Sequence, residues 1–383
     1  MRIRSPRTRA LIGFAALGLY WGAWGAALPE VQRRSHAGDA DLGLALVALA
    51  LGALISMRAA GVLIDRFGPR LTPATVGLLA ATGVLPAFAD SPIELSAVLF
   101  LLGAASGAMD VAINADAVRE EVASGRPLLN LAHAAFSIAV VVSSLGTGLL
   151  RWAGAEPIAV FGLAAVLVVT AAIAVRPGQT ERWTPPARDE RPKFLQRVPG
   201  WLLLLGALGA LAFWIENAWQ SWGAVHLERT LGASPATSAL GPGLFAAAMA
   251  AGRLSAHRVV APGKERTVLV AGAALAGIGS AVAAVAPSIA LSLVGIVVAG
   301  AGCAVCAPTV VSLAGRAAAP HERATVVGSI TTLMYLGFLI GPAAVGGVAE
   351  LTTLRISLGT VAGVGFLLSL LFAVVRLPAA TSG

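Results

Sequence analysis

The stretch Trp214–Glu228, WIENAWQSWGAVHLE, sets a carboxylate (Glu216) and an amide (Asn217) inside a run otherwise too apolar for water. It also repeats. Trp219, Trp222, Gly223, Ala224 and Glu228 follow the spacing W-x-x-W-G-A-x-x-x-E, and Trp21, Trp24, Gly25, Ala26 and Glu30 follow the same spacing near the start. The offset, 219 − 21 = 198, is about half of the 383 residues. That offset predicts two copies of one unit, each opening with this helix.

Composition says where such a unit lives. Hydrophobic residues make up 57% of the chain and charged residues only 12%, with a mean hydropathy of +0.83. A soluble domain carries about 25% charged residues, so the chain reads as an all-α polytopic membrane protein. A bilayer core needs roughly 20 apolar residues per helix. Runs that meet this are 9–29, 40–64, 71–89, 93–118, 128–152 and 157–176, then 200–227, 235–258, 266–286, 288–315, 323–349 and 353–376. The expected organisation is therefore a six-helix bundle over 1–176, a polar linker over 177–199 and a second bundle over 200–383. Five prolines and several arginines mark that linker. Pro242, Pro308 and Pro342 fall inside runs and predict kinks.

The net charge of +8 does not indicate nucleic acid, because the basic residues sit between apolar runs rather than on a stripe. They report orientation instead. With the N-terminus cytoplasmic, the cytoplasmic segments and helix ends hold 22 of the 27 Lys and Arg, Arg58 and Arg253 among them. The other side keeps Arg33, Arg34, Arg151, Arg229 and Arg355. Both termini then face the cytoplasm. The opening arginines precede a run, Ala10–Leu28, longer than the ~7–15 apolar residues of a signal peptide, so an uncleaved first helix is expected.

Metal and redox chemistry find little support. The five histidines have no ligand spacing, and Cys303 and Cys306 lie in an apolar run as small packing residues; no metal and no cofactor are expected. The dispersed His, Cys and Ser do not gather an enzyme's reactive groups.

At the end of the second run stands Gly61-Val-Leu-Ile-Asp65-Arg66-Phe-Gly68-Pro-Arg70. Gly68 and Pro69 read as a helix stop; Asp65 does not, because its charge opposes the dipole of its own helix end. This motif, on a six-plus-six layout, resembles the G-x-L-x-D-R-x-G-x-K/R signature of the major facilitator superfamily (MFS). The resemblance implies twelve transmembrane helices in two pseudo-symmetric bundles and a gating role for Gly61, Asp65, Arg66, Gly68 and Arg70. It also implies that Asp65 closes the cytoplasmic side against the start of the eleventh run, near Glu322–Thr325. The second half echoes the motif as GRLSAHR, with His257 where related repeats often carry aspartate. YWGAWGAALPE, MDVAINADA and GRPLLNLAHAAFS look like the bacterial MosC/YbjJ-like branch, for one member of which rhizopine-type sugar derivatives are proposed. A clear Gly-Pro ending of the fifth run, a mark of drug/proton antiporters, is lacking.

Buried polar groups supply the candidate chemistry. Glu216 has no cation within its own helix turn; closed in, it would keep a proton, and opened to water it would release one. Asp110 and Asn114 share one face of the fourth run. Counted from the turn near Ser124, Asn114 matches His133 in depth and Asp110 matches Ser137, which predicts two polar layers between the fourth and fifth helices. A carboxylate at a helix centre costs ~2.5–3.5 kcal/mol, so Glu216 and Asp110, with His133, are the proton-coupling candidates. Trp21 and Trp219 sit mid-membrane, and with Tyr20, Asn217, Asn114 and Ser137 they are the candidate solute contacts. The expectation is a monomeric secondary transporter in the bacterial plasma (inner) membrane, with small organic solute, protons and lipid as its partners and no nucleic acid. It would work by alternating access, with export ranked ahead of import on family habit. A symport-type or facilitative carrier for a sugar-like solute, or a transport-fold sensor without net flux, is the alternative.

Overall fold

Caps and prolines set the helix boundaries. The structure, a computed structural model, describes residues 5–177, 200–259, 263–318 and 323–377, without the side chains of 256–259 and 323–325. Helix α1 (Pro6–Arg34) begins at a proline behind Ser5, whose Oγ accepts from the Thr8 amide at 3.3 Å. Proline has no N–H to leave unpaired in a first turn, so it suits that position; α4 (Pro92–Ser124) and α6 (Pro157–Ala174) open the same way. Between them lie α2 (Asp39–Phe67), α3 (Thr72–Gly83) and α5 (Leu129–Trp152). The second half comprises α7 (Gly200–Val225), α8 (Pro235–Ser238), α9 (Leu240–Val259), α10 (Glu265–Val285), α11 (Ile289–Ala317), α12 (Arg323–Met334), α13 (Leu336–Leu351) and α14 (Leu354–Val374). Most of the expected 177–199 linker lies outside the described residues.

The result is an all-α polytopic fold of two six-helix bundles. Among the described residues, ten helices are long and apolar enough to cross a membrane, and the third run is a shorter apolar helix, Thr72–Phe88, that tightens to 3-10 geometry over its last residues. The eighth run is interrupted at Ala239, between α8 and α9. Pro242 explains this: it has no N–H for the Ser238 carbonyl four residues back. Pro308 and Pro342, by contrast, lie within uninterrupted helices. The eleventh run breaks at Tyr335, well before Pro342.

Contacts divide the chain into two units, Met1–Ala187 with Gly232–Gly243, and Arg188–Leu231 with Leu244–Gly383. Within the first, α1 packs along α5 and α6, α2 along α4, and α3 against α4 and α6. Within the second, α7 packs on α12, α13, α14 and α11, while α10 packs on α11 and α14. Adding six to the run number carries pairings of the first unit into the second: first–fifth becomes seventh–eleventh, and third–sixth becomes ninth–twelfth. The sequence repeat is thus a repeat of packing.

Small residues make the seams. A Cβ added at Gly103 of α4 would land on the Leu49 carbonyl oxygen of α2, and one at Gly107 would come within 2.6 Å of the Ala53 carbonyl oxygen. Only glycine lets two backbones approach so closely, and packing is the main force that associates helices in lipid.

Candidate functional site

The second unit gathers charge around α7. Glu216 is buried, and its Oε1 accepts from Gln220 Nε2 at 3.0 Å, one helical turn on. Its Oε2 lies 3.8 Å from an Nη of Arg253, on α9. Counting helical residues shows why the two meet. From the connecting turn at Gly232, Glu216 lies 232 − 216 = 16 residues back and Arg253 lies 253 − 232 = 21 residues on. At 1.5 Å per residue the depths differ by about 7 Å, which an arginine side chain can span. Sideways, Gly252 brings α9 onto α11: an added Cβ would sit 2.6 Å from Ala304 Cβ and 3.3 Å from the Ala301 carbonyl oxygen. Arg253, expected at a cytoplasmic helix end, thus reaches toward Glu216 and supplies a cation that α7 itself does not.

Phe213, Glu216, Asn217 and Gln220 are spaced three and four apart, so they share a face of α7. Phe213 joins Tyr335 and Phe338 in an aromatic trio, with ring centroids 5.7, 4.6 and 5.5 Å apart. Tyr335 occupies the break between α12 and α13. Asn217 Oδ1 and Trp214 Nε1 are buried without a hydrogen-bond partner among the described residues.

The first unit carries a polar stripe on α4. Ser106, Asp110 and Asn114 are successive i, i+4 positions. Trp21 Nε1 donates to Ser106 Oγ at 3.2 Å, and Asn114 Nδ2 donates to Asp110 Oδ1 at 3.1 Å. The two polar layers expected between the fourth and fifth helices do not form. Asn114 turns to Asp110 on its own helix, and Ser137 Oγ donates to the His133 carbonyl on its own helix at 3.0 Å. The physical reason is packing: α4 lies along α2 and α5 along α1, so equal depth does not bring their side chains together. The His133 ring instead meets Phe14 edge-on at 4.9 Å.

Two expected solute contacts are packing residues. Tyr20 is fully buried, its hydroxyl donates to the Gly83 carbonyl at 3.1 Å, and its ring fills the space a Gly83 side chain would need. Trp219 is fully buried, with Nε1 donating to Ser280 Oγ at 2.8 Å and His226 edge-on at 6.2 Å. Neither ring has a surface left for a solute. Trp21 and Asn217 are only half-buried.

At the end of α2, Gly68 takes φ +60° and donates its N–H to the Ile64 carbonyl, as a helix stop requires. Asp65, Arg66 and Arg70 are exposed, and Arg66 lies over the Phe67 ring at 5.4 Å. Glu322 lies outside the described residues, as do the side chains of residues 323–325 and His257. Nearby, Thr72 Oγ1 donates to Asp116 Oδ2 at 2.6 Å and Arg119 pairs with the same carboxylate, fixing α3 to α4. The thiols of Cys303 and Cys306 are buried and free.

The sequence profile described as Major Facilitator Superfamily matches residues 10–262 and 230–382. The chain belongs to the major facilitator superfamily. An uncharacterised MFS-type transporter of Yersinia pestis is 31% identical over 94% of this chain and 92% of its own length. Membrane protein MosC of Rhizobium meliloti is 27% identical over 94% of this chain and 88% of its own. Among solved structures, a variant of the nucleoside transporter NupG superposes with a TM-score of 0.82 at 13% identity, covering 96% of this chain and 99% of that one. At that identity the likeness concerns the fold alone.

As an MFS member this is a multi-pass membrane transporter, and its substrate is a small solute. Reading its sequence did not single out Arg253, Gln220, Ser106 or the aromatic trio. For Gln220 and Ser106 the signal was present: each stands four residues from an acidic residue already singled out. For Arg253 none was visible, because only packing across α11 shows which way that side chain reaches.

Proposed function

We propose that this MFS member is a proton-coupled secondary transporter that moves a small organic solute by alternating access, with Glu216 as its proton-carrying group. One observation supports this above all: a buried membrane carboxylate held by Gln220 at 3.0 Å, with the Arg253 guanidinium 3.8 Å away. A charge in that setting is stable only while paired or neutralised. A change in the distance to Arg253 would therefore change whether Glu216 binds a proton, which is the property a coupled carrier needs. Asp110 is the second proton candidate, with His133 about one helical turn away in depth. Trp21, Asn217, Asn114 and Ser137 are the proposed solute contacts. Gly61, Asp65, Arg66, Gly68 and Arg70 are the proposed gate.

The working arrangement is a bundle over 1–176, a cytoplasmic linker over 177–199 and a bundle over 200–383, in a monomer in the bacterial plasma (inner) membrane with both termini cytoplasmic. Export is ranked first on family habit. The second reading, symport-type uptake, is favoured by the Glu216–Arg253 geometry and is developed below.

Reconstituted protein tests the proposal. An imposed pH gradient across proteoliposomes drives solute movement in the wild type, while Glu216→Gln retains solute exchange without gradient-driven accumulation. Full gradient-driven transport by both Glu216→Gln and Asp110→Asn refutes proton coupling through these groups. Binding without either exchange or net flux identifies the sensor alternative.

A further inference from the structure

From the juxtaposition of Arg253, Glu216 and the Phe213–Tyr335–Phe338 trio we infer that the solute is an organic anion, a carboxylate carried on a flat or ring-shaped apolar body. The inference rests on the proton-coupled reading of Glu216 and adds the substrate class to it.

Arg253 is the starting point. Its side chain is 40% exposed, and its contact with Glu216 is an ion pair at 3.8 Å rather than a bidentate hydrogen bond. A guanidinium carries five donors in a planar fork matched to carboxylate and phosphate. The hydrogen bond that Glu216 does make, on Oε1, comes from Gln220. The fork is thus attracted to Glu216 and still presents donors to a better-placed anion. Intramembrane arginines of this kind mark substrate or ion routes.

The aromatic trio supplies the rest of the ligand's outline. Phe213 lies three residues before Glu216, about 4.5 Å along the axis, so the rings lie within one turn of the Glu216–Arg253 pair along α7. The three rings are half-buried, so their assembly leaves a surface open. Aromatic faces and edges bind flat apolar groups through offset or edge-on contact. A neutral polyol could hydrogen-bond the fork but would leave its positive charge unbalanced once Glu216 is protonated.

Competition for Arg253 sets the coupling. While Glu216 is ionised it holds the guanidinium. A proton taken from water onto its carboxylate removes that claim, and the solute's carboxylate takes the guanidinium in its place. One proton and one monoanion then move together, with no net charge transferred, and both leave when Glu216 reopens to water and loses its proton. Because each promotes the other's binding, the carrier works as a symporter. Among the described residues, the charged or titratable groups facing Glu216 are Arg253 from α9 and the thiols of Cys303 and Cys306 from α11.

The test uses the full chain in nanodiscs and matched probes: benzoate, phenylacetate, nicotinate and cyclohexanecarboxylate, each against its neutral amide. Binding is read by thermal shift at pH 5.5 and 7.5. At least one acid binds wild type, more tightly at pH 5.5, and its amide does not. Arg253→Gln weakens that acid roughly ten- to a hundredfold, the worth of a charge-assisted bond. Phe213→Ala weakens it severalfold. Glu216→Gln frees Arg253 permanently, so it binds the acid at least as well as wild type with the pH dependence gone. Equal binding of acid and amide, undiminished binding by Arg253→Gln, or indifference of the wild type to the whole panel overturns the inference. The two readings fail separately. Glu216→Gln protein that still accumulates solute on a pH gradient, beside Arg253→Gln protein that has lost the acid, removes the proton assignment and leaves the anion site. The converse pair of results removes the anion site and leaves the proton.

Discussion

The two tryptophans of the repeat show what one residue position does and does not determine. Trp21 and Trp219 are 198 apart and equivalent in sequence, yet one donates to Ser106 on α4 and the other to Ser280 on α10. The repeat does not copy the hydroxyls: position 106 + 198 is Ala304 and position 280 − 198 is Thr82. The repeated residue could be read from spacing; its partner depends on which way an indole turns once its helix is packed. Trp219→Phe keeps most of the ring and strands a buried serine hydroxyl. It should lower stability by about 1 kcal/mol, read as a fall in Tm in detergent, with solute binding intact. Trp21→Phe removes a bond from a half-buried ring beside the Ser106–Asp110–Asn114 stripe, and the larger change there is expected in transport. Comparable transport defects in both variants would contradict the assignment of Trp219 to packing.

At the scale of the helix, twelve apolar runs were legible because hydropathy directly measures the solvent a helix needs. Their interruptions were less so. Pro242 marks a real break, since it denies the Ser238 carbonyl its partner, whereas Pro308 and Pro342 sit in unbroken helices and the eleventh run breaks at Tyr335. Pairing between helices was the least legible feature. Equal depth on the fourth and fifth runs suggested contacts that α2 and α1 pre-empt, because glycines draw α4 to α2 and α5 to α1. Those glycines give a contrast within one bundle. Gly103→Val drives a branched side chain into the backbone of α2 and should cost about 1–3 kcal/mol or prevent folding. Gly61→Ala meets nothing within 4 Å, and should be neutral or stabilise by up to about 1 kcal/mol through helix propensity. Tm and yield of folded protein measure both. On α9, Gly252→Val pushes the helix from Ala301 and Ala304 and carries Arg253 away from Glu216, so it should reproduce the Arg253→Gln loss of acid binding without touching either charge.

For the whole molecule the strongest inference is which side of the membrane each turn faces. Removing Arg253 from the cytoplasmic tally, since it reaches toward Glu216, leaves 22 − 1 = 21 basic residues against five on the other side. Arg151, one of those five, is not a free loop charge: it is buried, donating to the Ala26 carbonyl at 2.7 Å and lying 3.9 Å from Glu30. The bias therefore strengthens once geometry decides which arginines are loop charges, and the loop bias is what sets orientation. Two exposed turns test the result. Ser124 ends α4 at the α4–α5 turn, expected on the cytoplasmic side, and Ala153 lies in the α5–α6 turn, expected on the opposite side. The native thiols, Cys303 at 3% and Cys306 at 1% exposure, should give little background. In intact bacterial cells an impermeant maleimide should label Ala153→Cys at once and Ser124→Cys only after permeabilisation. The reverse pattern would invert every segment together, because α5 alone separates the two positions, and would place the arginine-rich 177–199 linker outside the cell.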